Sequence, residues 1–256
     1  MLNRTEIGMD ALARRGDADP PAGVPARPAD TAVWKRASDV VFALLLLVLS
    51  APLLALVALL IKLTSRGPVI YRQTRLGLHG RPYTMYKLRT MRHDCERLTG
   101  PQWSRPGDRR VTAVGRFLRK THLDELPQLW NVLKGDMSIV GPRPERPEFV
   151  AWLEESVPHF RERLRVRPGI AGLAQSHLPP DTDVASVRRK LAYDLYYARH
   201  ASIWLDLRIL LCTGALVFGV PAAVACWLFG LPGGERVEQA YEALVAANAA
   251  QVQPAA

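Results

Sequence analysis

From Val40 to Ile61 the chain runs 22 residues without a charge, closed by Asp39 at one end and Lys62 at the other. By length this is a transmembrane candidate. It begins too late for a signal peptide, behind a long polar N-terminus. Pro52 falls near its middle, where it removes a helix hydrogen bond and bends the helix. Each arm of about eleven residues then reaches ~16 Å, roughly half the hydrocarbon thickness. Lys35 and Arg36 flank one end; Lys62, Arg66, Arg72 and Arg75 flank the other. Either spanning orientation would therefore export a basic flank. The expectation is a re-entrant helix-break-helix, turning at Ser50, Ala51 and Pro52, with both flanks cytoplasmic. A kinked single span is the alternative.

The rest of the chain divides around that run. Residues 1–32 are rich in Ala, Pro, Arg and Asp without an apolar period, a disordered tail. Residues 33–64 form the membrane helix and 65–208 a catalytic domain. Residues 209–234 carry no charge but are broken by Gly214, Gly219, Pro221, Gly230 and Pro232. They predict two short helices at the membrane surface, with a second span left open. Residues 235–256 are a C-terminal tail with a short helix near Arg236–Ala247. No internal repeat is present. Cys95, Cys212 and Cys226 lack metal-ligand spacing and suit a reduced, cytoplasmic setting. The predicted fold class is α/β, mostly helical with a small sheet, in a monotopic membrane protein with a cytoplasmic catalytic domain.

The formal net charge is +10, unevenly spread. Lys62 to Lys120 holds fifteen Lys/Arg against three acids, Asp94, Glu96 and Asp108. Such a surface attracts phosphates of nucleic acid, anionic lipid or a nucleotide diphosphate, or else is merely a solvated face. Nucleic acid is set aside, because interleaved surface aromatics and a known binding module are both missing.

Asp124 and Glu125 open a segment in which Leu126, Leu129, Trp130 and Leu133 fall at i, i+3, i+4 and i+7. This predicts a short amphipathic helix with Pro127 in its first turn and Gly135 past its end. The carboxylates would then sit at a helix N-terminus, which also favours an incoming phosphate. The plainer reading makes Asp124 an N-cap. Upstream, Gly67-Pro68 leads into a strand, and a second strand over Tyr83–Met91 could present Lys87 and Arg89 on one face. A polar loop at residues 99–110 precedes a basic helix ending in Arg119-Lys120. Downstream, Pro142-Arg143-Pro144 and Arg167-Pro168-Gly169 each hold an arginine on stiff backbone, suited to forked recognition of phosphate or a base edge.

Together these residues resemble the bacterial sugar transferase family, the monotopic polyprenyl-phosphate phosphoglycosyl transferases. The resemblance runs in order from Lys35-Arg36 and Asp39 through Gln73-x-Arg75-x-Gly77 and Tyr86-Lys87-x-Arg89-Thr90-Met91. It continues through Asp124–Gln128, Lys134–Ser138, Val140–Glu145, Arg167–Ile170 and Tyr193-Asp194-x-Tyr196-Tyr197 to Asp206 and Thr213.

The resemblance implies an enzyme on the cytoplasmic face of the bacterial inner membrane, among inner-membrane lipids. It would transfer a sugar-1-phosphate from a UDP-sugar to undecaprenyl phosphate. Asp124 corresponds to the nucleophile and Glu125 to a residue associated with Mg²⁺. Arg119 and Arg167 correspond to phosphate-contacting arginines, and Pro142, Arg143 and Pro144 to a uridine-binding element. A homodimer through the catalytic domains is left open, as is the sugar. Two positions depart from the family pattern: Ala51-Pro52 stands where small members often have Ser-Pro, and Ala171-Gly172 where Thr-Gly is usual. A non-catalytic lipid-binding or scaffold protein of the same fold is the alternative function.

Overall fold

The computed structural model describes residues 29–93, 95 and 107–252. The predicted N-terminal tail up to residue 28 and most of the 99–110 loop lie outside them.

Helix α1, Ala29–Thr64, continues through Pro52. Among the described residues it alone is long and apolar enough to cross a bilayer, and 11% of its most apolar window is buried in protein. Val41, Leu45, Leu49, Leu56 and Leu63 all face outward. So exposed an apolar surface is consistent with membrane association. Pro52 deprives the Val48 carbonyl of its helical donor. The Ser50 hydroxyl does not replace that donor; it turns back to the Leu47 carbonyl at 3.3 Å.

Both ends of α1 are tied to the same globular body. Near the start, Arg36 donates to the carbonyls of Val132 at 2.5 Å and Leu133 at 2.8 Å. Asp39 accepts from the Ile139 amide at 3.1 Å. Lys35 lies 2.9 Å from both Asp39 and Asp206. The Tyr197 hydroxyl sits 2.7 Å from Asp206 and 2.9 Å from the Val140 carbonyl, closing a buried polar network. At the other end, Val57 and Ile61 pack with Leu88 and Leu118. There Arg89 donates to the Ser65 carbonyl and hydroxyl, each at 2.8 Å.

Strands β1, Ile70–Leu76, and β2, Pro82–Leu88, pair antiparallel from Ile70↔Leu88 to Leu76↔Pro82. The second predicted strand stops at Leu88, and Met91 makes only an isolated bridge to Val111. Helix α2, Ala113–Lys120, starts where the Thr112 hydroxyl accepts the Gly115 amide at 2.9 Å. Helix α3 is Gln128–Lys134, closed by Gly135 at φ 89°.

Strand β3, Ser138–Val140, runs parallel to β4, Gly169–Ala171. Both are buried, and their backbones nearly touch: a Cβ on Gly169 would lie 2.0 Å from the Gly141 nitrogen. The remaining helices are α4 Pro147–Ser156, α5 Leu173–His177, α6 Val184–His200, α7 Ile203–Val217, α8 Ala222–Leu228 and α9 Gly234–Val252. Helix α6 starts at an Asp183–Ser186 capping box. It threads the centre, giving Leu191 and Leu195 to a core with Val150 and Phe160, and Tyr193 and Tyr197 to the main core.

The uncharged C-terminal stretch is divided between α7 and α8, parted by Gly219 at φ 86° and Pro221. Each buries one face, through Ile209, Cys212, Ala225 and Cys226. Each exposes the other, with Trp204, Phe218 and Trp227 outward. The architecture is mostly helical with two two-stranded sheets.

A cluster of buried charges underlies one side of the domain. Arg163 sits 2.7 Å from Asp194 and 3.5 Å from Glu145, while Lys190 meets Glu145 at 3.7 Å and also Asp181. Burial pushes Asp194 up to about 6 from 3.8, against the pull of Arg163 and Lys190 and with Glu145 and Asp181 adding to the rise. A carboxyl that holds its proton more tightly folded than unfolded makes stability fall as pH rises between those two values. Asp194→Asn is therefore expected to flatten the stability profile from about pH 4 to about pH 6. Thermal unfolding of detergent-solubilised protein across that range tests this; an unchanged slope would refute it.

Candidate active site

Asp124 and Glu125 do not begin an α-helix. They lie in a 3₁₀ turn, Leu123–Glu125, entered through His122 in the left-handed region at φ 56°. Its bonds skip three residues, Glu125 N–H to the His122 carbonyl and Leu126 N–H to the Leu123 carbonyl. The α-helix starts only after Pro127, which fits at a helix entrance because it has no N–H to donate. Asp124 is therefore not an N-cap. The apolar stripe also shifts: Leu129 and Val132 are buried, whereas Trp130 is 53% exposed. Asn131 takes an interior place instead. It accepts the Tyr86 amide at 3.1 Å and donates to the Thr84 carbonyl at 2.7 Å, so β2 is stitched to α3.

That stitching brings Lys87 over the carboxylates. Its Nζ is 2.7 Å from Glu125 Oε1, and Arg143 Nη2 reaches the same oxygen at 2.8 Å. Burial opposes ionisation of Glu125, yet Arg143 and Lys87 overcome it and hold the carboxyl far below its ordinary range. Burial lowers Lys87, with Glu125 pulling it back up. Glu125 raises Arg143.

Asp124 differs. Burial raises its pKa above 3.8 and Glu125 adds to the rise, while Lys87, Arg119 and Arg143 pull it down. Two adjacent carboxylates thus have opposed environments: one is favoured in its ionised form, the other is held at higher energy when charged. Such separation marks functional sites.

The other predicted side chains go to different places. Arg119 comes off α2, donates Nε–H to the Thr90 hydroxyl at 2.9 Å and lies near enough to Asp124 for its charge to lower that carboxyl's pKa. Arg89 does not join Lys87 at Glu125; it closes the end of α1 at Ser65. Arg167 donates to the Gly135 carbonyl at 3.0 Å, at the far end of α3 from the carboxylates. Pro142 and Pro144 are buried on either side of Arg143. The turn they form is anchored by Gly169 N–H to the Pro142 carbonyl and Gly141 N–H to the Ala171 carbonyl.

Sequence reasoning passed over Asn131, Ser65 and Arg163, and named Thr90 and Arg75 only as motif or flank positions without their contacts. An Asn set among Leu, Trp and Val in a short helix was a readable signal. The others act through contacts with residues far away in sequence.

A buried carboxylate pair meets two cations in a domain that also carries an exposed apolar helix. The family model described as bacterial sugar transferase matches residues 30–219, and the chain belongs to that family. It is 44% identical over 179 residues to the UDP-N-acetylgalactosamine-undecaprenyl-phosphate N-acetylgalactosaminephosphotransferase of Aeromonas hydrophila, covering 70% of this chain and 42% of that protein. It is 49% identical over 183 residues to the UDP-glucose:undecaprenyl-phosphate glucose-1-phosphate transferase of Caulobacter vibrioides, covering 70% and 67%. With the exopolysaccharide production protein PSS of Rhizobium leguminosarum it shares 45% over 186 residues, 71% of this chain and 93% of the relative. The chain thus spans under half of the first relative and nearly all of the last.

Proposed function

We propose that the protein transfers a sugar-1-phosphate from a UDP-sugar to undecaprenyl phosphate, starting a lipid-linked glycan. The observation that carries this reading is the Asp124–Glu125 pair under Lys87, Arg119 and Arg143, in a chain of this family.

Asp124 attacks the donor's β-phosphorus. An Oδ–P bond forms, the bond from phosphorus to the bridging oxygen breaks, and UMP leaves with that oxygen. A phosphate oxygen of the lipid then attacks the acyl phosphate, the Oδ–P bond breaks, and Asp124 is restored. A carboxylate is a weak nucleophile, so it needs a neutralised electrophile and its own charge unscreened by water. Lys87, Arg119 and Arg143 supply positive charge where the diphosphate would lie, and burial of Asp124 keeps its ionised form reactive.

Mg²⁺ commonly takes one or two protein carboxylates with substrate phosphates and water, and would add charge neutralisation at the diphosphate. The donor set fits that modest demand. Among the described residues no cluster of three or more ligating side chains occurs. Glu125 Oε1 is taken by both cations, which leaves Oε2 and Asp124 as the carboxylate donors.

Helix α1 is read as re-entrant, dipping into the cytoplasmic leaflet of the inner membrane. Contacts from Arg36 and Asp39 at one end and Ser65 at the other go to a single globular body, which supports two ends on one side. Trp34→Cys and Arg66→Cys should both label from the cytoplasmic face of sealed vesicles. Labelling of the two from opposite faces would rule this topology out.

The reaction is tested by UMP release from purified protein with Mg²⁺, undecaprenyl phosphate and a panel of UDP-sugars. The names of the relatives divide between glucose and N-acetylgalactosamine, so both belong in the panel. Release that depends on both donor and lipid is expected. Retention of lipid without release from any donor would favour a lipid-binding protein of the same fold.

A further inference from the structure

Arg143 owes its place to its backbone. The turn that carries it presents three successive carbonyls, and each receives a donor from elsewhere. Arg163 Nη2 donates to the Arg143 carbonyl at 2.8 Å, Arg75 Nη1 to the Pro144 carbonyl at 2.9 Å, and the Leu76 amide to the Glu145 carbonyl at 3.1 Å. Arg163 is 3% exposed. The same Nη2 lies 2.7 Å from Asp194, and Nη1 lies 3.5 Å from Glu145. Its fork is thus fixed by two carboxylates before it reaches the turn. On the far side of the same residue, the Arg143 guanidinium projects onto Glu125 at 2.8 Å.

We propose that Arg163 is a positioning residue for the transfer: by bonding the Arg143 carbonyl it fixes where the Arg143 side chain starts, and so holds that guanidinium over the carboxylate pair. The inference rests on the phosphosugar-transfer reading in taking Arg143 to bind the donor. Arg163 touches neither substrate nor reacting atoms. A buried ion pair alone is weak grounds for a role beyond stability. Here the third bond, to the carbonyl of the very residue that meets Glu125, gives the cluster a direction. Lysine can meet one carboxylate as a point charge, but it lacks the planar fork that spans a carbonyl and two carboxylates.

Three variants test this: Arg163→Lys, Arg143→Ala and the two combined. They are compared by UMP-release kinetics, by hydrogen exchange of the peptide covering residues 141–146, and by thermal unfolding. Arg163→Lys is expected to raise KM for the UDP-sugar about tenfold while kcat stays within about twofold, the pattern of lost donor binding. Its turn peptide should exchange faster. Added to Arg143→Ala, it should raise KM no further, since residues acting through one contact are not additive.

If Arg163→Lys lowers the unfolding temperature while KM and turn exchange stay at wild-type values, the role is structural and the proposal fails. Multiplying KM effects in the double variant overturn it equally. Should Arg163→Lys not fold, Arg75→Lys loosens the neighbouring carbonyl and is expected to shift KM and exchange in the same direction; no shift there counts against the clamp. If the wild type releases no UMP with any donor, the transfer reading fails on its own, and the exchange comparison alone then decides the clamp.

Discussion

Asp124→Asn should give a folded protein whose UMP release falls by at least about 10⁴-fold, as loss of a covalent nucleophile does. The same change should not weaken the fold. Burial raises the Asp124 pKa, so the charged carboxylate is less at home in the folded protein than in water. Replacing it with a neutral isostere removes that cost, and the unfolding temperature should equal or exceed the wild-type value. Activity and stability then move in opposite directions, a trade expected where a side chain is held for chemistry rather than for packing. The sign for pH follows from the same shift. On the proposed mechanism the ionised form of Asp124 attacks, so the rate should decline as the medium is acidified, with a midpoint above the ordinary Asp value of 3.8. A stable Asp124→Asn protein with wild-type turnover would reduce the residue to scaffolding.

Gly169→Ala carries a large expected structural loss. Its Cβ would meet the Gly141 nitrogen at 2.0 Å, the Ala171 oxygen at 2.5 Å and the Gly141 Cα at 2.6 Å, all of them backbone atoms that cannot rotate away. The β3–β4 pair would have to separate. Its closing bonds, Ser138 N–H to the Pro168 carbonyl and Gly169 N–H to the Pro142 carbonyl, both 2.8 Å, would break with it. A cost of about 4 kcal/mol or more is expected, at the upper end for point changes. Thermal unfolding checks this beside Gly214→Ala, where the added methyl meets nothing within 4 Å. Equal unfolding temperatures in the two variants would contradict the close approach. Because the Arg143 turn hangs on the same two strands, Gly169→Ala should also lose activity.

Local signals were read well from the sequence. The apolar run, the first strand, the basic helix ending at Lys120 and the stop at Gly135 all follow from short-range rules, and the structure has them. The carboxylate pair was singled out from spacing, and Lys87 and Arg143 as candidate ligands of phosphate or a base edge; that both cations meet Glu125 is shown only by the structure. Sequence reasoning faltered where a distant partner decides. Periodicity put Trp130 on the buried face, but the β2 backbone needed Asn131 there, 45 residues from Tyr86. Arg89 and Lys87 share a strand face in the pattern, yet the end of α1 draws Arg89 away to Ser65. The start of the helix after Asp124 was misplaced because a 3₁₀ turn and an α-helix begin with the same residues. What differs is how the next proline disposes of its missing N–H.

The bond from Arg36 to the last carbonyls of α3 couples two parts that are easily thought of as separate. Helix α3 is seven residues long, about 10 Å, and only Leu126 and Pro127 separate its other end from Asp124-Glu125. The anchor and the reactive turn are therefore opposite ends of one short strut. An exchange of membrane segments between relatives cannot be drawn at residue 64 or 65 as though one were changing a handle. Arg36 and Asp39 bond backbone groups that any non-proline residue at 132, 133 and 139 would present, so a graft that keeps those two side chains should keep Asp124 in register, and one that drops them should shift it.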